Sequence, residues 1–98
     1  MTIENDSTRK RAHILETAVN QARIHGYDKI TRDGVAAAAG VGDGVVNHHY
    51  GTMANLKRAV LDYAVENEIL EIIAQGVAAK DIDGISPALR SRALATLI

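Results

Sequence analysis

Asn47, His48 and His49 lie together in an eight-residue run, Asp43 to Tyr50, bounded by Gly42 and Gly51. These side chains suit base reading better than catalysis. Asparagine presents a donor and an acceptor side by side, matching N6 and N7 of adenine, and such a bidentate contact discriminates by about 1–3 kcal/mol. Asp43 offers an acceptor to a cytosine amino group, although phosphates repel a carboxylate and a cap at a helix start is the alternative use. Val45 fits a thymine methyl. The two histidines donate or accept, and because imidazole titrates near pH ~6.5, affinity for DNA is expected to rise as the pH falls toward ~6. Neighbouring helical residues point about 100° apart, so His48 and His49 make no facing pair for zinc. No Cys or Glu lies near to complete a set, and no nucleophile with a base, carboxylate pair or phosphate loop is present. Neither an enzyme nor a cofactor or metal is expected.

Such a run needs a scaffold, and the flanking residues supply its outline. A segment from Thr31 through Arg32, Asp33 and Gly34 enters an apolar block, Val35 to Ala39, and breaks at Gly40. The run 43–50 follows, then a second break at Gly51-Thr52. Two short helices joined by a tight glycine turn are the geometry of a helix-turn-helix, which lays its second helix in the DNA major groove. Ala36 is small enough for the helix crossing, Gly40 permits left-handed backbone, and Val35, Ala39, Val41 and Val46 close an inward core. An ordinary helical hairpin with an Ala-rich contact is the alternative for the same residues. The Thr31 hydroxyl is expected to cap the first of these helices with Arg32 facing outward, and a helix start so capped can also receive a phosphate.

Upstream, Asp6 or Ser7 can cap a helix that starts before Arg9-Lys10-Arg11. That triplet lies beside a phosphate backbone if its helix packs behind the reading helix; otherwise it is a solvated patch. Ile14, Leu15, Ala18, Val19 and Ala22 share one helical face, and Gly26 stops it. Downstream, Leu56, Val60, Tyr63, Asn67, Leu70, Ile73 and Val77 recur at three- and four-residue steps and predict one long helix from Met53. Its stripe is core or a partner-helix face. Asn67 sets register in a helix pair or lies at the edge, and Gly76 weakens the last turns. Residues 80–85 read as a loop, Ser86 as a cap and Pro87 as a first helical residue. Leu89, Ala93, Leu94 and Leu97 form the face of a last helix, expected to pack against a second subunit.

A chain of 98 residues suits one domain, 1–98, with a head at 9–52 and dimerisation helices at 53–98. At this size folding buries only about two-thirds of the unfolded surface, so dimerisation is a natural supplement. Three Tyr and no Phe or Trp make the core aliphatic. Zero Cys excludes disulfides and fits the cytoplasm. Met1 to Asp6 carries no signal-peptide pattern and no apolar run spans a bilayer, so no membrane partner is expected. The net charge of −1 hides an asymmetry: residues 1–58 hold eight Lys or Arg against six Asp or Glu, residues 59–98 three against six. The weak positive excess sits with the helix-turn-helix.

Ile14-Leu15, Ala18, Gly26-Tyr27, Thr31, Val35-Ala36, Ala39-Gly40-Val41, Gly44, His49-Tyr50 and Leu56 together resemble the N-terminal DNA-binding domain of TetR-type transcriptional repressors, over residues 9–60. The resemblance implies a three-helix helix-turn-helix head on a long fourth helix, bound as a homodimer to a palindromic operator; with the short C-terminal helix read from Ser86 onward, the expected fold is all-α. It places Asp43, Gly44, Val45, Asn47, His48 and His49 toward the groove and Tyr50 inward, with Thr31 and Met53 at phosphate positions. Several residues depart from the family pattern. Gly42 replaces the usual Ser cap, passing the cap to Asp43. Asn47 replaces a tyrosine, and Met53 replaces a phosphate-binding lysine, for which Lys57 or Arg58 is a substitute. Ala22 replaces a core aromatic, with Ile24 expected to fill the space. About forty residues follow the head, too few for both a dimer interface and a drug-sized cavity, so no small-molecule effector is expected.

The expected function is a sequence-specific, cytoplasmic DNA-binding transcriptional regulator, a repressor acting as a homodimer on double-stranded DNA. The residues expected to bind DNA are Arg9, Lys10, Arg11, Thr31, Arg32, Asp43, Gly44, Val45, Asn47, His48, His49, Thr52 and Lys57. A competing reading is an interaction module that heterodimerises with another regulator and blocks it. An architectural protein without sequence preference is the third, and the small positive excess speaks against it.

Overall fold

The computed structural model describes residues 6–81 and 84–96. Among them are six helices, α1 Asp6–His25, α2 Arg32–Ala39, α3 Asp43–Tyr50, α4 Met53–Glu66, α5 Leu70–Ala78 and α6 Pro87–Ala95, with a 3₁₀ turn at Tyr27–Lys29 and no strand. The fold is all-α, as the sequence patterning implies.

The apolar face of α1 buries Ile14, Ala18, Val19 and Ala22 and serves as the spine on which α2, α3, α4 and α5 pack. The helix stops at Gly26, whose φ of 110° is one that side-chain-bearing residues avoid. The turn that follows plants Tyr27 in the core, where it is the largest fully buried side chain. Ile24 does not fill the space beside Ala22. It is 69% exposed, because two residues along a helix carry a side chain more than halfway round the axis and away from the core. Aromatic bulk comes instead from Tyr27.

Helix α2 begins as expected, with the Gly34 N–H donating to Thr31 Oγ1 at 3.0 Å. It ends at Gly40, φ 73°, where the Gly40 N–H donates to the Ala37 carbonyl and the Val41 N–H to that of Ala36. This left-handed closure satisfies carbonyls that would otherwise lack partners. Helix α3 starts differently from the expectation. Gly42 occupies the cap position, no side chain caps the helix, and Asp43 is its first residue.

The single long helix expected from Met53 is two helices. The apolar stripe is present, but α4 closes at Asn67, Glu68 takes a left-handed φ of 51°, and α5 restarts at Leu70. Within the chain, Asn67 closes α4, its Nδ2 donating to the Tyr63 carbonyl 2.8 Å away. The break lets α5 fold back on α4, α1 and the Tyr27 turn, burying Ile72, Ile73 and Ala74. Gly76 is where α5 meets α4. A Cβ there would stand 2.8 Å from Leu61 Cδ1, so the glycine answers a packing need and is no weak point.

Helix α6 is capped by Ser86, whose Oγ accepts from the Leu89 N–H at 3.2 Å, with Pro87 at its first position. Ala93 is buried, Leu89 half-buried and Leu94 exposed. Leu97, and residues 82 and 83 of the expected loop, lie outside the described residues.

Candidate nucleic-acid interface

Helix α3 has two unlike faces. Val46 and Tyr50 are buried, the latter at 7% exposure, and hold the helix to the head. Gly44, Asn47 and His48, spaced three and four apart, share the exposed side, while Val45 and His49 are half-buried between the two faces. A Cβ added at Gly44 would meet nothing within 4 Å. Packing inside the chain therefore gives no reason for a glycine that costs about 1 kcal/mol of helix stability against alanine. Val45 packs partly against the core, leaving only part of its surface to a ligand.

The ends of α3 carry the charged groups. Asp43 is exposed beside Asp33 of α2, and hydrogen bonding to that carboxyl, slight desolvation and mutual repulsion push the Asp43 carboxyl above its ordinary pKa, with Arg32 opposing. As the first residue of α3, Asp43 does not cap it. At the other end, the His48 and His49 rings stand edge to face, centroids 5.1 Å apart. Partial burial, the neighbouring His48 and the Arg11 and Lys10 charges lower the pKa of His49.

The basic triplet on α1 divides. Arg9 and Lys10 are exposed. Arg11 is exposed as well but lies along the surface of α3, donating from Nη1 to the His49 carbonyl and placing its guanidinium 4.3 Å from the Tyr50 ring centroid. In return the Tyr50 hydroxyl donates to the Arg11 carbonyl at 3.0 Å. Burial raises the Tyr50 phenol pKa, and the Arg11 charge partly offsets this. Nearby, His13 Nε2 lies 2.9 Å from the Ala39 carbonyl.

The helix starts place Thr31 and Thr52 at the surface, each occupied as a cap; Thr52 Oγ1 accepts from the Asn55 N–H at 3.1 Å. Arg32 is half-buried and does not face fully outward. Met53 packs against the core. Lys57 and Arg58 both have partners within the chain: the Lys57 ammonium lies 5.5 Å from the Tyr27 ring centroid, and Arg58 pairs with Asp62 at 3.1 Å. Both line a cleft of about 250 Å³ with Tyr27, Ala54, Lys80 and Asp81, none of them from α3. The fold thus gathers Gly44, Asn47 and His48 on one face and leaves Lys57 in a different setting.

Residue types and spacing did not point to the links that hold the head on the rest of the chain. The Tyr27 hydroxyl donates to Asp81 Oδ2 at 2.9 Å, and the Tyr27 N–H donates to Gln75 Oε1. Burial, followed by the bond to Asp81, raises the Tyr27 phenol pKa well above its ordinary value. These partners lie 54 and 48 residues apart in sequence, beyond any local signal. Among the described residues, no group of three or more His, Cys, Asp or Glu could hold a metal, and no helix is long and apolar enough to cross a membrane.

Residues 14–60 match the model of a family described as bacterial regulatory proteins, tetR family. No curated protein and no solved structure matches the chain.

Proposed function

We propose, from the premise that residues 14–60 belong to the tetR family of bacterial regulatory proteins, that this DNA-binding regulator acts as a homodimeric repressor on a palindromic operator. The observation that carries the reading is the division of α3, with Val46 and Tyr50 buried and Gly44, Asn47 and His48 exposed. An exposed asparagine at the middle of that face has the geometry to read adenine, and Gly44 keeps the surface low enough for close approach. Thr31 and Thr52 mark helix starts suited to phosphates, and Arg9 and Lys10 add charge at the flank. His48 and His49 supply hydrogen-bond donors.

Phosphate anchoring is thin in this reading. Met53 stands where the family commonly has a lysine, and Lys57 and Arg58 are engaged within the chain. Affinity then rests on base contacts and on the pairing of two heads, and the salt dependence is shallow, since each phosphate neutralised adds about 0.9 to the slope of log K against log salt. Selection of bound duplexes from a random pool tests the proposal. The expected outcome is an inverted repeat with half-sites about 10 base pairs apart, or a multiple of that. No enrichment at low salt would overturn it.

A further inference from the structure

We propose that Arg11 and His13 are positioning residues for the reading helix, and that Arg11 is not a phosphate ligand. The proposal rests on the reading that α3 contacts DNA. Helices end with carbonyls that have no intrahelical partner and with the negative end of the backbone dipole. Both helices of the helix-turn-helix present such an end to α1. At α2, the carbonyl of its last residue, Ala39, lies 2.9 Å from His13 Nε2. A carbonyl can only accept, so that nitrogen carries the proton. At α3, the His49 carbonyl receives the Arg11 guanidinium.

Arg11 is held a second way, by its seat 4.3 Å from the Tyr50 ring centroid, and the Tyr50 hydroxyl closes the loop onto the Arg11 carbonyl. Side chains two residues apart on α1 therefore each grip the C-terminal end of one helix. Together they set the angle between α2 and α3, and with it the direction in which Asn47 and His48 leave the surface. Base contacts need their side chains within about 0.5 Å of the productive position. Phosphate contacts through long flexible cations are far more tolerant. A loosened α3 should accordingly lose specific affinity and keep its non-specific affinity.

Arg11→Gln is the discriminating variant. Affinity for the selected duplex is expected to fall about tenfold, the scale of one lost hydrogen bond to a charged group. Affinity for random duplex, and the salt slope, should barely move. Arg11 acting as a phosphate ligand would instead lower both affinities alike and reduce the slope by about 0.9, which overturns the proposal. For His13, Ala should lower the specific-to-random ratio and Gln, which can still donate to the Ala39 carbonyl, should restore it; equal ratios in the two variants count against the role of His13. A measurement without DNA separates this idea from the one it rests on. In the free protein, Arg11→Gln should speed amide hydrogen exchange at residues 47–51 relative to the middle of α4. Unchanged exchange there overturns the positioning role whatever the DNA result. Faster exchange combined with no duplex preference in the unmodified protein would sink the operator reading instead.

Discussion

Gly76→Ala is expected to destabilise the protein although alanine is the better helix former. In an open helix the exchange would gain about 1 kcal/mol. Here Gly76 is buried, and the new Cβ would stand 2.8 Å from Leu61 Cδ1 and 3.3 Å from Cδ2. Leu61 is itself 1% exposed and cannot swing out to solvent. Forcing an extra carbon into such a contact costs about 1–3 kcal/mol, so the net loss is about 1 kcal/mol, a fall in Tm of about 4–8 °C for a chain of this size. Leu61→Val removes both clashing Cδ atoms at its own cost of about 1 kcal/mol. In that background the added methyl enters vacated space, and Gly76→Ala should stabilise. Thermal and urea denaturation of the four proteins, followed by far-UV circular dichroism, gives the double-mutant cycle. The expected coupling is about 2 kcal/mol. A stabilising Gly76→Ala in the unmodified protein, or the same sign in both backgrounds, refutes the packing argument.

Thr31→Val keeps the shape of the side chain and removes the cap on the Gly34 N–H, and urea denaturation should show a loss of about 1 kcal/mol. Gly44→Ala should move stability and binding in opposite directions: a gain of up to about 1 kcal/mol, because nothing stands near the new methyl, and weaker binding to the selected duplex in titration. Undiminished binding would remove Gly44 from the interface. Because burial raises the Tyr27 phenol, its neutral form is favoured in the folded protein; its share of stability is intact below pH ~10 and lost as pH rises beyond that. Tyr27→Phe should therefore flatten the alkaline fall in unfolding free energy, leaving the smaller part due to Tyr50. DNA affinity should rise in acid, with the His49 contribution setting in below pH ~6.5 because desolvation, and then its charged neighbours, depress its pKa. His49→Gln should flatten that part of the affinity profile, and an unchanged profile counts against the histidine.

The sequence by itself determined the features whose physics spans three or four residues. Thr31 and Ser86 cap their helices because a hydroxyl reaches the N–H three residues on. Gly26 and Gly40 end theirs because few other residues accept their backbone angles. The helical period makes α3 two-sided, and the family resemblance supplied which side is which, with Tyr50 in and Asn47 and His48 out. Periodicity, however, reports the phase of a stripe and not its continuity. Met53 to Val77 reads as one helix until the turn at Asn67 and Glu68 folds α5 back on α4. Tertiary structure alone decided what depends on distant partners: that Gly76 makes room for Leu61, that Asp43 meets Asp33 and caps nothing, that Lys57 lies over Tyr27, and that Ile24 faces solvent. Arg11 is the sharpest case. In the sequence it is one of three consecutive cations, and only the packing of α1 across the end of α3, 38 residues away, separates it from its neighbours and turns its charge onto a helix carbonyl and a tyrosine ring.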